Sequence, residues 1–302
     1  GEPGDGSRKA FMREFRKVVE TADVVLEVLD ARDPLGCRCY DAEKMVMSVG
    51  GGRKRIIMVL NKVDLVPKDV VERWLEYLRN DFPTIPFRAS LQEQKEKGSS
   101  KSSSLGADLL SRSECFGGDK LIQLLKNYSR NNGMKTALTV GVVGYPNVGK
   151  SSIINSLKRS RAVAVGSTPG LTRSLQEVAL DKNLRLIDCP GIVFASDTAP
   201  SASLILRNCI RVEQLSDPIA PVETIIRRCG PHALCAAFGT PLFDGAAEFL
   251  AVVAKKRGMI RKGGGIDVEA AARAVLREWN SGERVAFYTL PPRAAGTARV
   301  VD

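Results

Sequence analysis

The strongest chemical pattern in the chain is a glycine-bearing segment near its middle. Residues 144–151 (Gly-Tyr-Pro-Asn-Val-Gly-Lys-Ser) match the GxxxxGK[ST] pattern in full, and they lie between a strand-like apolar run and a helical pattern. Backbone N–H groups of such a loop, with the N-terminus of the following helix, surround phosphate oxygens. A chance match is the alternative, but the strand–helix context favours a nucleoside-triphosphate site. The residues expected to contact the phosphates are Gly144, Asn147, Val148, Gly149, Lys150, Ser151 and Ser152.

A second motif, Asn61-Lys-Val-Asp64, follows the apolar run 56–60. Ligands of open α/β sheets bind at the carboxyl ends of strands, which is where this motif would lie. A carboxylate at Asp64 can accept hydrogen bonds from the N1–H and the exocyclic amine of guanine, whereas adenine presents an acceptor at N1 and would be rejected. NKxD alone is weak evidence, because a solvated turn gives the same pattern. Together with the phosphate loop it predicts a guanine site that includes Asn61 and Lys62.

Residues suited to magnesium and to the γ-phosphate come later in the chain. Asp188-Cys-Pro-Gly191 ends another strand pattern, so Asp188 can hold Mg²⁺ through water and the Gly191 N–H can meet the γ-phosphate. Thr172 lies in a glycine- and proline-marked loop, where its hydroxyl can join that of Ser151 in the magnesium shell. Each motif alone is ambiguous. In combination they predict Lys150, Thr172 and Gly191 as catalytic residues.

The order of these motifs is unusual. NKVD and residues 87–90 (Phe-Arg-Ala-Ser) precede the phosphate loop, whereas Ras-like GTPases have the phosphate loop first. In this order, and in residues 27–39 (EVLDARDPLGCRC) and 287–292 (FYTLPP), the chain resembles the circularly permuted GTPases of the YlqF/YawG class, in the nucleostemin and nucleostemin-like group. The resemblance covers nearly the whole chain. Animal nucleostemins lack the glycine that stands here as Gly191, which favours the nucleostemin-like branch or its single-copy fungal and protist counterparts.

The resemblance implies a function and further site residues. Ala89 and Ser90 would form the second base contact. The implied protein is a GTP-binding, slowly hydrolysing switch that uses Mg²⁺ and acts in the nucleolus on pre-ribosomal particles (rRNA and assembly proteins) of the large subunit. The alternative is a nucleotide-gated nuclear scaffold in which hydrolysis is incidental.

Two residues bear on the rate of hydrolysis. Ile192 stands where Ras-like enzymes place the glutamine that orients water, which predicts slow intrinsic hydrolysis. Related GTPases with asparagine at the position of Asn147 use it to hold K⁺ beside the phosphates; the alternative is that Asn147 only braces the loop. Arg173 is either a charge-stabilising residue or a solvated arginine.

The elements that must position these residues form two regions. Strand patterns (24–29, 56–60, 85–89, 138–143, 174–180 and 184–188) alternate with helical ones (7–21, 40–49, 68–80, 119–130 and from 149). This alternation predicts an α/β fold with a parallel-type sheet. The motifs and the resemblance imply that it is a P-loop GTPase domain in permuted order over 1–202, with a flexible serine-rich insert at 91–118. Helical patterns at 203–214, 218–228, 245–257 and 267–282 predict a small all-α domain over 203–302.

Charge suggests a polyanionic partner. The 302 residues include 45 basic and 34 acidic ones, a net charge of +11. The densest basic cluster could contact RNA phosphates or could be a solvated helix end, and the two alternatives are equally supported. Aromatic residues do not alternate with the basic ones, so recognition of single strands by base stacking is not supported. The cluster comprises Lys255, Lys256, Arg257, Arg261 and Lys262.

Composition excludes several classes. One histidine, His232, excludes Ser-His-Asp hydrolysis and histidine-rich metal sites. The seven cysteines are scattered, which predicts free thiols in a reducing compartment, with Cys37 and Cys39 structural like His232. No apolar run reaches the roughly 18 residues of a membrane span. The absence of a signal-peptide pattern, and a start at Gly1, predict an intracellular piece of a longer protein, whose oligomeric state the sequence leaves open.

Overall fold

The computed structural model describes residues 13, 15–49, 54–89, 116–131, 134–135, 137–161, 176–181, 184–188, 212–261, 263–282, 284–285 and 287–292. The chain divides into two compact units. The first comprises Gly1–Gly144, Val148–Pro190 and Tyr288–Asp302, and the second comprises Tyr145–Asn147 and Gly191–Phe287. The predicted boundary between residues 202 and 203, and residues 91–115 of the insert predicted at 91–118, lie outside the described residues and stay predictions. The last part of that predicted insert belongs to the fold, because Phe116 pairs with Arg88 and Gly118 begins a helix.

A six-stranded sheet forms the centre of the first unit, with the order β3-β2-β1-β6-β8-β7. All seven residues of β1 are buried, because an interior strand of a parallel sheet is covered on both faces. This burial explains the continuous β-branched and leucine-rich run that predicted the strand. The strands are β1 (Val24–Asp30), β2 (Arg55–Asn61), β3 (Thr84–Phe87), β6 (Leu138–Val143), β7 (Gln176–Asp181) and β8 (Leu184–Asp188), with β4 (Arg130–Asn131) and β5 (Met134–Lys135) in a separate hairpin.

The sheet is parallel except at one edge. β1 pairs in parallel with β2 and β6, and the same direction continues through β3 and β8. The edge strand β7 is antiparallel to β8, which departs from the predicted all-parallel arrangement. Only two residues connect β7 to β8, and a parallel crossover needs a dozen or more, so a hairpin is the available connection. The α/β fold class with a permuted GTPase sheet is confirmed.

Helices of the first unit begin where the sequence supplies caps or amphipathic spacing. Asp33 accepts a hydrogen bond from the Gly36 N–H at 3.2 Å, and Pro34 occupies the first helical position of a short helix. The helix after NKVD buries one face, which includes Trp74 and Leu78. The helices are α1 (residues 15–21), α2 (Pro34–Cys37), α3 (Tyr40–Ser48), α4 (Lys68–Arg79), α5 (Gly118–Tyr128) and α6 (Lys150–Arg161).

The second unit is helical in its described part, as predicted. A 3₁₀ turn (Val212–Gln214) precedes α7 (Ile219–Cys229), α8 (Pro231–Phe238), α9 (Ala246–Lys256) and α10 (Val268–Ser281), which pack around a core that includes Phe249 and Trp279. Asp267 caps α10 as predicted, accepting from the Ala270 N–H at 2.9 Å. No helix in the described part is long and apolar enough to cross a membrane.

Two features of this half were not predicted from the sequence. The eight-residue helix α8 was missed because its mostly apolar, small side chains lack a clear amphipathic period, although Pro231 and Gly239 mark its two ends. Residues 288–292 were assigned to the helical domain, but they group with the first unit. There the Thr289 N–H donates to the Arg32 carbonyl at 2.8 Å. We call residues 288–292 the return segment.

Candidate nucleotide-binding site

The sheet brings the predicted motifs to one edge. β1 ends at Asp30, which pairs with Asn61 at the end of β2, while β6 ends just before Gly144 and β8 ends at Asp188. These strands are parallel, so their carboxyl ends lie on the same side of the sheet. Ligands of open α/β sheets bind at this edge. Motifs separated by up to about half the chain therefore face one region.

The phosphate loop has the backbone that its glycines predict. Gly144 has a φ of 146°, and a Cβ there would lie 2.7 Å from the Val28 carbonyl oxygen, so no other residue fits. Asn147 has a left-handed φ of 59°, which asparagine tolerates better than most residues. The helix α6 begins at Lys150, with Ser151 exposed in its first turn. The loop thus leads into the N-terminus of a helix, where the first N–H groups have no acceptor within the helix and suit a phosphate.

Lys150 is held within its own loop. Its ammonium group donates to the Gly144 carbonyl at 3.0 Å, and the residue is 7% exposed. A buried ammonium needs hydrogen-bond acceptors, and a loop carbonyl is a weaker partner than a phosphate oxygen. The side chain is therefore already positioned over the loop where an anion would bind.

A direct hydrogen bond joins the base motif to the phosphate loop. The Asn61 Nδ2 donates to the Val148 carbonyl at 2.8 Å, and Asn61 is 2% exposed. A Cβ at Gly149, whose φ is 102°, would lie only 2.2 Å from that Nδ2 atom. Glycine at this position is what lets the two motifs approach. The NKVD motif and the loop are therefore in direct contact.

The base-reading turn is anchored by a carboxylate that sequence reasoning did not assign. Lys62 has a left-handed φ of 62°, and its Nζ donates to Asp30 Oδ2 at 2.7 Å. Asp30 also accepts from the Arg32 guanidinium at 2.8 and 3.0 Å. Asp64 follows in a 3₁₀ turn, Val63–Leu65, and is exposed. The sequence did contain a signal for Asp30. An aspartate at the end of a buried strand lies at the edge of the sheet where ligands bind.

Electrostatics keep this anchor ionised. Burial by itself raises the pKa of Asp30, but the hydrogen bond from Arg32 and the charges of Lys62 and Arg32 lower that pKa to about 2. Burial lowers the pKa of Arg32, but its hydrogen bond to Asp30 raises it, and the carboxylate of Asp64 contributes to the net rise. Arg32 therefore lies in the electrostatic field of both the anchor and the base-reading carboxylate.

The remaining predicted site residues are only partly described. Ala89 is half-buried shortly after β3, whose last residue, Phe87, pairs with Asn61. Ser152 is exposed beside Ser151 in the first turn of α6. Asp188 ends β8 as predicted, but its side chain lies outside the description. Also outside the described residues are Ser90, Thr172, Arg173, Gly191 and Ile192.

Comparison with known proteins agrees with this geometry. A family model described as a 50S ribosome-binding GTPase matches residues 139–224. The chain is 52% identical to guanine nucleotide-binding protein-like NSN1 of Arabidopsis thaliana over 96% of its length, and 50% identical to the Bos taurus guanine nucleotide-binding protein-like 3-like protein over 95%. The chain is therefore similar over nearly its whole length to the guanine nucleotide-binding protein-like 3 proteins. The resemblance inferred from the motifs is confirmed.

Two further comparisons set the extent of the match. The chain spans 50% of the length of the Arabidopsis relative, and 63% of GTPase grn1 of Schizosaccharomyces pombe, to which it is 40% identical. The crystal structure of GNP-bound YlqF from T. maritima matches with a TM-score of 0.58 and 24% identity, covering 92% of this chain and 96% of that one. That similarity shows that this chain shares the fold of YlqF.

Two members of the predicted basic cluster are engaged within the family's helical unit. The Lys256 ammonium donates to the carbonyls of Phe238 at 3.0 Å and Gly239 at 2.8 Å, at the C-terminal end of α8. The Arg257 guanidinium pairs with both carboxylate oxygens of Glu278. A phosphate would have to compete with these partners, so neither side chain is well suited to RNA.

The other members differ. Arg261 is about half-exposed and lies 3.7 Å from Asp267 and 3.5 Å from Glu269, distances of loose surface ion pairs. Lys255 is exposed in the last turn of α9, and Lys262 lies outside the described residues. The sequence cluster is therefore not one uniform surface, and Lys255 is its best-placed described member for contact with phosphate.

The residues predicted to be structural fall in two places. Cys37 and Cys39 are buried and form no disulfide within the described part of the chain, and the Cys39 N–H donates to the Glu27 carboxyl group at 2.6 Å. Burial, with the Glu27 carboxyl nearby, raises the pKa of the Cys39 thiol well above its ordinary value. His232 is exposed on α8, so it does not contribute to the core.

Proposed function

We propose that this protein is a GTP-binding and slowly hydrolysing switch that acts in assembly of the large ribosomal subunit. The observation that supports this function best is the buried hydrogen bond from Asn61 to the Val148 carbonyl. It fixes the element that reads the base to the loop that binds phosphate. A phosphate loop alone suits many nucleotides, whereas this coupling supports a ligand with a guanine base and a phosphate chain.

The residues divide the binding task between them. Asp64 would accept two hydrogen bonds from guanine, and Lys150 would leave the Gly144 carbonyl for the outer phosphates. The hydroxyl of Ser151, exposed in the first turn of α6, is a suitable ligand for Mg²⁺, with Thr172 and Asp188 proposed to complete the shell. When bound, Mg²⁺ would neutralise charge on the phosphates. Gly191 would contact the γ-phosphate.

Two further elements of the proposal concern the rate. An aliphatic Ile192 in place of the water-orienting glutamine supports slow intrinsic hydrolysis. Asn147 is exposed, and its left-handed backbone lies in the phosphate loop, which supports a role in holding K⁺ beside the phosphates. Stimulation by K⁺ would then offset part of the missing glutamine.

The cellular setting of the proposal comes from the family. The matching family model is described as ribosome-binding, and the net charge of +11 suits a particle rich in RNA. We place the protein in the nucleus and nucleolus, with contact to rRNA through exposed basic residues such as Lys255 and Arg261. Members of the pre-ribosomal particle are the proposed partners.

A nucleotide-binding experiment tests the first part. Lys150→Ala should weaken binding of GTP and GDP by at least about tenfold while the unfolding midpoint stays near that of the wild type. Lys158→Ala is the matched control, because Lys158 lies two turns further along the same helix and outside the loop. If wild-type protein binds ATP as well as GTP, or if both lysine variants bind alike, the assignment is wrong.

A hydrolysis experiment tests the second part. Phosphate release should be faster in potassium than in sodium buffer, and Asn147→Ala should remove that difference. Addition of pre-ribosomal particles should raise the rate further. Selective GTP binding with no release above background in either salt, with or without particles, would favour the nucleotide-gated scaffold instead.

A further inference from the structure

Resting on the proposed guanine-nucleotide site, we infer that Thr289, in the return segment, is a positioning residue for base recognition. Thr289 lies far from every nucleotide motif in the sequence. It would act by fixing the two elements that flank the base-reading turn, and not by touching the nucleotide.

Three hydrogen bonds place Thr289 between these elements. Its N–H and its hydroxyl both donate to the Arg32 carbonyl, at 2.8 and 3.2 Å. Its own carbonyl accepts from the Trp74 Nε1–H at 2.7 Å. Trp74 is 1% exposed on α4, the helix that follows the NKVD motif. One residue thus ties the loop after β1 to the helix after β2.

Both tied elements control the base-reading turn. Arg32 donates to Asp30 through its backbone N–H at 3.0 Å and through its guanidinium, and Asp30 holds the Lys62 ammonium. On the other side, only Leu65, Val66 and Pro67 separate Asp64 from the first residue of α4. A shift of the Arg32 loop or of α4 would therefore move the Asp64 carboxylate relative to a bound base.

The position of Thr289 in the chain adds a consequence. It follows Phe287 by two residues, and the Phe287 ring packs against Trp279 at 4.9 Å and lies under the Arg228 guanidinium at 5.7 Å, within the second unit. The backbone that leaves this helical core becomes the return segment. Base recognition would then depend on the chain that leaves the helical unit after Phe287, because this chain continues directly into the return segment.

The test measures discrimination and not affinity alone. Inosine triphosphate lacks the exocyclic amine, so it offers Asp64 one hydrogen bond where GTP offers two. Thr289→Val removes the hydroxyl bond and keeps the side-chain shape. Trp74→Phe removes the indole donor and keeps a buried aromatic ring. We expect GTP affinity to fall about three- to tenfold in each variant, the effect of one hydrogen bond, and the preference for GTP over ITP to narrow.

The controls separate positioning from stability. Thr289→Ser keeps the hydroxyl and should retain wild-type preference. Thr21→Val removes an exposed hydroxyl that bonds only within its own helix, to the Lys17 carbonyl, and should change nothing. In an Asp64→Asn background the Thr289→Val effect on preference should disappear, because the contact that it positions is already lost.

One result would overturn the inference. It is an unchanged ratio of GTP to ITP affinity in both Thr289→Val and Trp74→Phe, whether the two affinities stay at the wild-type values or fall by the same factor. Failure of the proposed function gives a different outcome, since the wild-type protein itself would then show no preference for GTP. If Trp74→Phe unfolds, Thr289→Val decides the matter by itself, because its half-buried side chain is outside the core.

Discussion

Replacing Gly149 with alanine should disconnect the phosphate loop from the base motif. The new Cβ would lie 2.2 Å from Asn61 Nδ2 and 3.5 Å from its Cγ, at a backbone φ of 102°. The buried amide must move, and moving it breaks the 2.8 Å bond to the Val148 carbonyl. Left-handed strain costs about 1–2 kcal/mol and the lost bond about 0.5–1.5 kcal/mol. The sum, about 1.5–3.5 kcal/mol, should appear as a lower free energy of unfolding, and the displaced loop should bind nucleotide more weakly than the wild type does.

A double-mutant cycle with Asn61→Ala isolates the contact. The strain at Gly149 is present with either residue at position 61, so it cancels in the cycle. The clash requires the asparagine side chain, because Asn61→Ala removes both atoms that the new Cβ would meet. The double variant should therefore lose about 1 kcal/mol less free energy of unfolding than the two single changes added together.

The assay is urea unfolding of each of the four proteins, with titration of a fluorescent GDP analogue in parallel to measure nucleotide binding. Additive losses would mean that Gly149 and Asn61 act independently, and the argument that one hydrogen bond unites the two motifs would fail. A Gly149→Ala variant with wild-type affinity would refute the geometry of the loop itself.

Three further changes have distinct expected outcomes. Asp64→Asn should shift preference from guanine toward xanthine nucleotides and cost GTP about 1.5–3 kcal/mol, checked by competition titration; unchanged GTP affinity would contradict the base assignment. Burial and the nearby Glu43 carboxylate raise the pKa of Glu27 to about 8. The unfolded chain therefore loses this proton at a lower pH than the folded chain does. The free energy of unfolding should then fall as the pH rises from about 5 to 8. Glu27→Gln should remove that decline, because glutamine does not titrate. The urea midpoint of the variant minus that of the wild type should therefore increase from about pH 5 to pH 8. A difference between the two midpoints that stays constant over this range would contradict the assignment. Lys255→Ala should lower the slope of log RNA affinity against log salt concentration by up to about one contact. Lys256→Ala should leave the slope unchanged, because the Lys256 ammonium already bonds to two carbonyls. If the two variants have the same slope, the RNA surface lies elsewhere.

Sequence alone was sufficient where the signal is local. The phosphate loop, the strand that β1 forms and the Asp267 cap of α10 are each encoded by a few adjacent residues whose backbone preferences and burial pattern have one good solution. Even the permuted order of motifs, which pointed to the family, is a property of the linear chain. These features are robust because hydrophobic period, glycine φ and helix caps act within a few residues.

Tertiary structure decided which residues work together. The pairing of Asn61 with the Val148 carbonyl, the Asp30 anchor beneath Lys62, and the engagement of Lys256 and Arg257 inside the helical unit were not predicted. A basic run in the sequence shows which residues carry charge. It does not show that the Arg257 guanidinium pairs with the Glu278 carboxylate of a helix about twenty residues further along the chain.

The return segment shows this most clearly. Thr289 has no local pattern that indicates a role, and its partners lie 257 and 215 residues earlier in the chain. Only packing brings its backbone against Arg32 and Trp74, because hydrogen bonds between distant segments depend on how the sheet and helices are assembled and not on neighbouring residues. The sequence determined which functional side chains are present, and the fold determined which of them are in contact.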